Sequence, residues 1–315
     1  MSDELFDGGI LKAALQSAEQ QLEAHIEELN MLNVFPVPDG DTGINMFITM
    51  QSANKAVAQL TTSSAATISA AAARGALLGA SGNSGVILSQ ILRGIAKGME
   101  LKDKFTSAHF AQCLKMAAEM AHRAVTNPVE GTIITVSREA SEMAMRMAER
   151  GASLKQTMKA VASQAKKTVR KSPELLPQLK EAGVVDAGGK GLFYVFQGIS
   201  DHVSQRVAWT GASVISKMKT ETEPFKESYG FDLQFLIMGK DMPLVKARSK
   251  IEKMGGSVIV VGDERLIRVH IHTYTPDAVL EYARTIGQVT DICKDNLDEQ
   301  VKEFKGKTKK QSSIA

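Results

Sequence analysis

The chain has 315 residues, which predicts two domains rather than one. Hydrophobic residues at 43% and charged residues at 23% exclude a disordered chain, while 5% aromatics with one Trp favour helix packing over a β-sandwich or barrel. A formal net charge of +3 offers no electrostatic case for a nucleic-acid binder, and two cysteines are too few for a disulfide scaffold.

Asp3, Glu4 and Asp7 stand where a secretory leader is basic and then apolar. No apolar run reaches the roughly 18 residues that a membrane span needs. These features predict a soluble, cytoplasmic protein. Leu11, Leu15, Ala18, Leu22, Ile26 and Leu29 recur at three- and four-residue steps and predict one amphipathic helix. Similar stripes follow at 45–60, 86–99, 108–125, 133–150, 154–171 and 192–203. Joined by short loops, they predict an all-α domain over residues 1–204. His122 and His202 lie in such stripes and read as surface or satisfied core side chains, and Cys113 as a small hydrophobe.

Residues 205–228, with weaker periodicity and Pro224, read as a linker. Beyond it the period changes to 2. Phe231, Leu233, Phe235 and Ile237 alternate with Asp232 and Gln234, as in a half-buried strand. Residues 257–261 form a continuous apolar strand, Gly262-Asp263-Glu264 a turn, and 266–272 a second alternating strand. Helical patterns at 243–254 and 277–286 and a last strand at 288–292 complete the order β-α-β-β-α-β, a small split-βαβ domain over 229–303. The Lys- and Ser-rich residues 304–315 predict a disordered basic tail.

Four loops carry the chemistry, each leading into a helix. In the first, Pro36 and Pro38 extend the backbone ahead of Asp39-Gly40-Asp41-Thr42-Gly43. Two carboxylates around a glycine suit a hard cation, and the helix start at Thr42 and Gly43 offers donors to phosphate. The competing reading is a turn in which Asp41 or Thr42 caps the helix. The others are Gly79-Ala80-Ser81-Gly82-Asn83-Ser84-Gly85, the segment around Glu130-Gly131-Thr132, and Asp186-Ala187-Gly188-Gly189-Lys190. In an up-and-down bundle such loops gather at one end. None matches a Walker A or dinucleotide fingerprint.

Together, residues 33–46, 81–90 (SGNSGVILSQ), 128–136 (PVEGTIITV) and 183–192 (GVVDAGGKGL) resemble the nucleotide-binding L domain of dihydroxyacetone kinases, and more closely the kinase subunit of bacterial fatty acid kinase. Tyr229-Gly230, Gly262-Asp263 and the segment Val269 to Thr273 resemble the middle domain of that subunit. The resemblance implies a barrel of about eight amphipathic helices that holds ATP at one end through Mg²⁺ bound by aspartates. Asp39 and Asp41 match the magnesium ligands. Asn33 stands near a position where dihydroxyacetone kinases have a further Asp, and Thr42 where they have His. Gly43, Asn45, Gly82, Asn83, Ser84 and Thr132 match phosphate or metal-shell positions, and Asp186 with Gly188 a nucleoside-side loop. Implied with them is an ATP-dependent kinase subunit, with Asp39, Asp41 and Thr42 as its catalytic residues, whose acceptor, a fatty acyl carboxylate, is presented by a separate binding protein. The alternatives are a glycerone kinase component working with a K-type partner, and a non-catalytic nucleotide-binding regulator. A third domain typical of the fatty acid kinase is not expected within this chain.

His270 and His272 alternate along one strand and point to one face. They suit Zn²⁺ if a third ligand approaches, and Asp232 stands where the resembling domain has Cys. Otherwise they are polar side chains on an open sheet face. Cys293 is a substitute ligand only if the last strand pairs beside theirs. The face bearing Asp232, Gln234, His270 and His272 is expected to remain open for a partner or an ion, and two-fold pairing through this domain predicts a homodimer.

Overall fold

The computed structural model describes residues 4–204 and 230–312; the linker expected at 205–228 lies outside them. Eight long helices form the first region: α1 (Gly8–Glu23), α3 (Thr42–Ala58), α4 (Ala65–Leu78), α5 (Gly82–Gly98), α6 (Ser107–Ala124), α7 (Ile133–Glu149), α8 (Leu154–Leu175) and α10 (Ala187–Val203). Two short ones, α2 (Ile26–Met31) and α9 (Pro177–Ala182), and a two-stranded ribbon, β1 (Phe6–Asp7) with β2 (Lys104–Phe105), lie between them. Neighbours pack in the closed sequence α1, α3, α4, α5, α6, α7, α8, α10 and back to α1. This is a ring of eight helices around one apolar core, the expected barrel.

Local chemistry starts these helices. Asp7, Ser64 and Thr106 accept hydrogen bonds from first-turn N–H groups of α1, α4 and α6, and Ser153 with Gln156 forms a reciprocal capping box on α8. Gly94 lets α5 and α6 touch backbone to backbone, since a Cβ there would lie 2.3 Å from the Cα of Ala117. Two features depart from the sequence reading. The single helix expected through Leu29 breaks after Glu23, where His25 points Nδ1 at the Gln21 carbonyl (2.7 Å) and stacks on Tyr194 at 3.8 Å. Nothing at Ala24-His25 is a breaker; the partner ring comes from α10. Helix α4 carries no stripe of large side chains, because it buries alanines: Ala65, Ala72, Ala73 and Ala76 beside Ile68.

The second region runs β3 (Phe231–Met238), α11 (Leu244–Ile251), β4 (Gly256–Gly262), β5 (Leu266–Thr273), α12 (Pro276–Arg284), β6 (Gln288–Asn296) and α13 (Leu297–Ser312). The sheet order is β4-β5-β3-β6 with every neighbour antiparallel, so β5 lies between β3 and β4 as a split βαβ unit requires. Leu233, Phe235, Ile237, Ile267, Val269 and Ile271 pack one face of the sheet against α11 and α12.

The opposite face is covered as well, which corrects the expectation of an open surface. Leu236, Ile259, Val261 and Leu266 join the core of the helix ring. Val125 pairs with Ile259 in an isolated antiparallel bridge, and Thr126 Oγ1 donates to the Val258 carbonyl at 3.2 Å. The partner that this face needed is the same chain. Over residues 304–312 the tail expected to be disordered is instead helical: α13 extends to Ser312, started by Leu297 and Val301, which bury against Val37 of the first region, and 313–315 lie outside the described residues.

Because Leu236 is 1% exposed at this junction, Leu236→Ala should cost about 2–5 kcal/mol of stability in urea unfolding. A loss below about 0.5 kcal/mol, typical of a surface position, would mean that the sheet does not pack on the ring.

Candidate functional site

Helix α2 sets the geometry of the first loop. Asn30 Oδ1 accepts hydrogen bonds from the N–H groups of Gly43 (2.7 Å) and Ile44 (3.2 Å), so it supplies the cap of α3. Asp41 occupies the N-cap position but makes no capping hydrogen bond. The reading of Asp41 as a helix cap is therefore corrected, and so is that of Gly43 as a phosphate donor, because its N–H is already used. Asn33 Nδ2 donates to Asp39 Oδ1. Asp39 and Asp41 lie close enough to share a proton, and the Asn45 side chain supports Asp41.

Both carboxyls are half-buried and titrate above the ordinary aspartate range. For Asp39 burial is the main cause, followed by the charge of Asp41 and then that of Asp232. For Asp41 burial again leads, opposed by its hydrogen bonds to Asn45 and Asp39 and reinforced by the charges of Asp232 and Asp295. Like charges held together out of water favour a proton or a cation between them.

The second loop shows the same pattern. Ser81 is the N-cap residue of α5 but makes no cap; its Oγ donates to Asn45 Oδ1 at 2.7 Å. Asn45 thus ties Asp41 to this loop from behind. In the third and fourth loops the caps are made. Thr132 Oγ1 donates to the Val129 carbonyl (2.7 Å) and accepts from Ile134 N–H. The buried Asp186 carboxylate accepts from Gly189 N–H at 2.6 Å and from Ile133 N–H, so it ties the starts of α10 and α7 together.

All four loops open on one cavity of about 260 Å³, far above the ~30 Å³ of one liquid water. First-turn residues of four helices line it: Thr42, Gly82 with Asn83 and Ser84, Ile133, and Gly188. Asn33, Asp39, Asp41, Thr132 and Asp186 line it as well. Gly43 and Asn45 do not, and lie one layer behind.

The sheet supplies the opposite wall with Asp232, Ser257, Val258, Ile259, His270 and His272. The expected histidine site therefore faces the Asp39–Asp41 loop instead of solvent. Ligand atoms of Asp232, His270 and His272 lie within 4.8 Å of one another. Burial lowers His270 to about 3 and His272 to about 4, leaving neutral imidazoles, and raises Asp232 to about 6. His270 Nδ1 lies 3.2 Å from Asp232 Oδ1 without hydrogen-bond geometry, and among the described residues neither ring nitrogen of His270 has a hydrogen-bond partner. Cys293 is not part of this group: β6 pairs with β3, not β5, which sets it opposite Gln234.

Sequence reasoning missed Asn30, Arg268 and Ser257, and it placed Gln234 on the polar face without a contact to the helix ring. Ser257 sits at φ +48, a conformation rare for a side-chain-bearing residue, at the β4 irregularity on the cavity wall. The alternation of β3 and β5 puts Gln234 and Arg268 on the face of Asp232 and His270, but only the docked sheet shows what they touch.

Residues 36–201 match the family of the DAK2 domain. Residues 228–304 match the family of the fatty-acid-kinase-like middle domain. Protein YloV of Bacillus subtilis strain 168 is 37% identical over 319 residues, covering 95% of this chain and 57% of that protein. An uncharacterized protein of Staphylococcus saprophyticus is 33% identical over 310 residues, or 94% of this chain and 56% of that protein. Another, from Staphylococcus aureus strain USA300, is 32% identical over 316 residues, with 94% and 57% covered. The chain thus spans little more than half the length of these relatives.

Burial raises Asp186 to about 7 against its two backbone donors, whereas an unfolded aspartate titrates near ~3.9. The folded chain then holds a proton between those values that the unfolded chain lacks. This contribution to stability is complete below about pH 4 and is lost as the pH rises to about 7. The stability of the parent minus that of Asp186→Asn, from denaturant curves at about pH 4.5 and 7.5, should fall with pH. A difference independent of pH would contradict the burial of this carboxyl.

Proposed function

The chain belongs to the DAK2-domain family, followed by a fatty-acid-kinase-like middle domain, and from that premise we propose that it is the nucleotide-binding, phosphoryl-transferring component of a fatty-acid-kinase-like system. One observation carries the reading: the uncapped carboxylates Asp39 and Asp41 share a cavity with the first turns of α3, α5, α7 and α10. Helix N-termini favour phosphate oxygens, and paired carboxylates favour a hard cation. ATP with Mg²⁺ satisfies both.

The residues fit that cation. Asp39 and Asp41 offer hard oxygen ligands, with Asn33 holding Asp39 in orientation. Bound Mg²⁺ supplies neutralisation of the negative charge on the phosphate oxygens. Asn83 and Ser84 at the start of α5 and Thr42 at the start of α3 line the same cavity and would contact the phosphate chain. The γ-phosphoryl passes from the β–γ bridging oxygen to a carboxylate oxygen of the acceptor, so one P–O bond breaks, one forms, and ADP leaves. Such a transfer needs positioning and charge stabilisation more than covalent help. In this reading a separate fatty-acid-binding protein presents the acceptor, as the match to a fatty-acid-kinase-like middle domain suggests.

A second metal belongs to the same reading. Among the described residues the buried Asp232 Oδ1 and both ring nitrogens of His270 lack hydrogen-bond partners, which fits Zn²⁺ held by Asp232, His270 and His272. Neutral imidazoles are the form a metal takes up. The homodimer expected from the sheet has the exposed β6 edge left to use, since the opposite face is covered.

Asp41→Asn should weaken Mg²⁺-dependent ATP binding at least ~10-fold in calorimetry, and chelation should do the same to the parent. Affinity unchanged in both cases would remove the site. With labelled ATP, transfer to fatty acid on a binding protein supports the acyl-phosphate reading. Labelled dihydroxyacetone phosphate, formed only with a K-type partner, would make the chain a glycerone kinase component, and binding without either product a regulator. Metal analysis of the purified chain should find zinc that His270→Ala loses; equal metal content in both would refute that site.

A further inference from the structure

Both uncapped loops of the cavity are held from the second region. At the 79–85 loop, Gln234 Oε1 accepts the Gly82 N–H at 2.9 Å. Gly82 opens α5, so this N–H has no partner within the helix, and the Ser81 hydroxyl beside it is committed to Asn45. Arg268 Nη2 donates to the Ala80 carbonyl and reaches Gln234 Oε1 at 3.4 Å. Gln234 Nε2 donates in turn to Asp232 Oδ2 at 2.9 Å. Gln234 and Arg268 are 6% and 7% exposed. A guanidinium is not buried in this way without a compensating contact, and burial here lowers its pKa. Its Nη2 finds that contact in the backbone of the loop, while its Nε has no partner among the described residues.

At the other loop, α13 provides the hold. Leu297 and Val301 bury against Val37, two residues before Asp39. The Phe304 ring lies over Gly40, between the two aspartates. Gly40 has φ +74, and a Cβ there would lie 2.2 Å from the ring. Only glycine satisfies both the turn and the ring.

We infer that the second region is a positioning element for the nucleotide cavity: Gln234 and Arg268 set the 79–85 loop, Phe304 sets the Asp39–Gly40–Asp41 turn, and the affinity for magnesium nucleotide depends on how the sheet and α13 are docked. None of the three residues touches the nucleotide in this scheme; each acts through a loop. The inference rests on the nucleotide reading for its consequence, but its structural half does not. A change in docking, transmitted along α13 or through the sheet, alters the spacing of both loops together, which couples the cavity to whatever binds the second region.

The test uses the full chain with Gln234→Met, Arg268→Met, Arg268→Lys and Phe304→Ala. Amide exchange of peptides covering 79–85 and 37–41 is followed by mass spectrometry, and Mg²⁺-ATP affinity by calorimetry. Gln234→Met and Arg268→Met should speed exchange at 79–85 and weaken Mg²⁺-ATP about fivefold, the worth of one hydrogen bond. Arg268→Lys retains a donor for the Ala80 carbonyl and should recover most of the affinity. Phe304→Ala removes a half-buried ring outside the two main cores, so the chain folds, and exchange at 37–41 should rise. Unchanged exchange in both loops overturns the inference. Faster exchange with unchanged affinity also overturns it, because the contacts are then packing alone. A parent that binds no Mg²⁺-ATP sinks the nucleotide reading instead, and loop exchange still decides the structural half.

Discussion

Burying the second face of the sheet against the end of the helix ring obliges every polar side chain on that face to find a partner or remain desolvated and alone. Gln234 and Arg268 find backbone groups of the 79–85 loop. Among the described residues, Asp232 is hydrogen-bonded on one oxygen only, and His270 on neither nitrogen. The sheet is thus both the closing wall of the cavity and the source of its unsatisfied ligand atoms. Apolar contacts through Leu236, Ile259, Val261 and Leu266 provide the burial that holds this polar junction in place.

The four helix starts divide into two kinds, and the division has a physical logic. Where the cap is made locally, by Thr132 and Asp186, the side chain is consumed in holding helices together. Where it is not, another element reaches the helix start: Asn30 takes the N–H groups that Asp41 would cap, and Gln234 takes the first N–H of α5, which no residue of that helix can accept. Capping residues are worth about 1 kcal/mol each, and supplying the bond from elsewhere leaves Asp41 available to the cavity at little cost in stability. The same separation explains Gly43 and Asn45. Both belong to the motif, and both act one layer back, as a packing surface for α2 and as a bridge between loops.

Charge is distributed in keeping with this arrangement. Asp39 and Asp41 feel Asp232, and Asp41 and Asp232 feel Asp295, so one side of the cavity gathers negative potential from both regions. Four helix N-termini present the opposite polarity. A ligand that carries cations next to phosphates matches both signs at once, whereas an anion alone meets the carboxylates and a cation alone meets the helix ends.

Much of this was legible in the sequence. Spacing of apolar residues marked six of the eight ring helices nearly to their ends and α1 over its length, and the change to period 2 at Phe231 marked the split-βαβ order, because burial on one face leaves a period that survives any arrangement of partners. Four small-residue loops before four helices announced a shared end. Helix α4 escaped, since a stripe of alanines has little hydrophobic contrast, and the break at His25 escaped because its cause is a ring on α10. What only the tertiary structure decided is which face is covered and who caps whom. Period 2 shows that Asp232, Gln234, Arg268 and His270 share a face, but not that the helix ring covers it; Asp41 before a helix looks like a cap until Asn30, from a different helix, takes the bonds. Local pattern reports how a segment divides apolar from polar, while a hydrogen bond between residues 152 positions apart, such as Gly82 to Gln234, depends on how the whole chain is brought together.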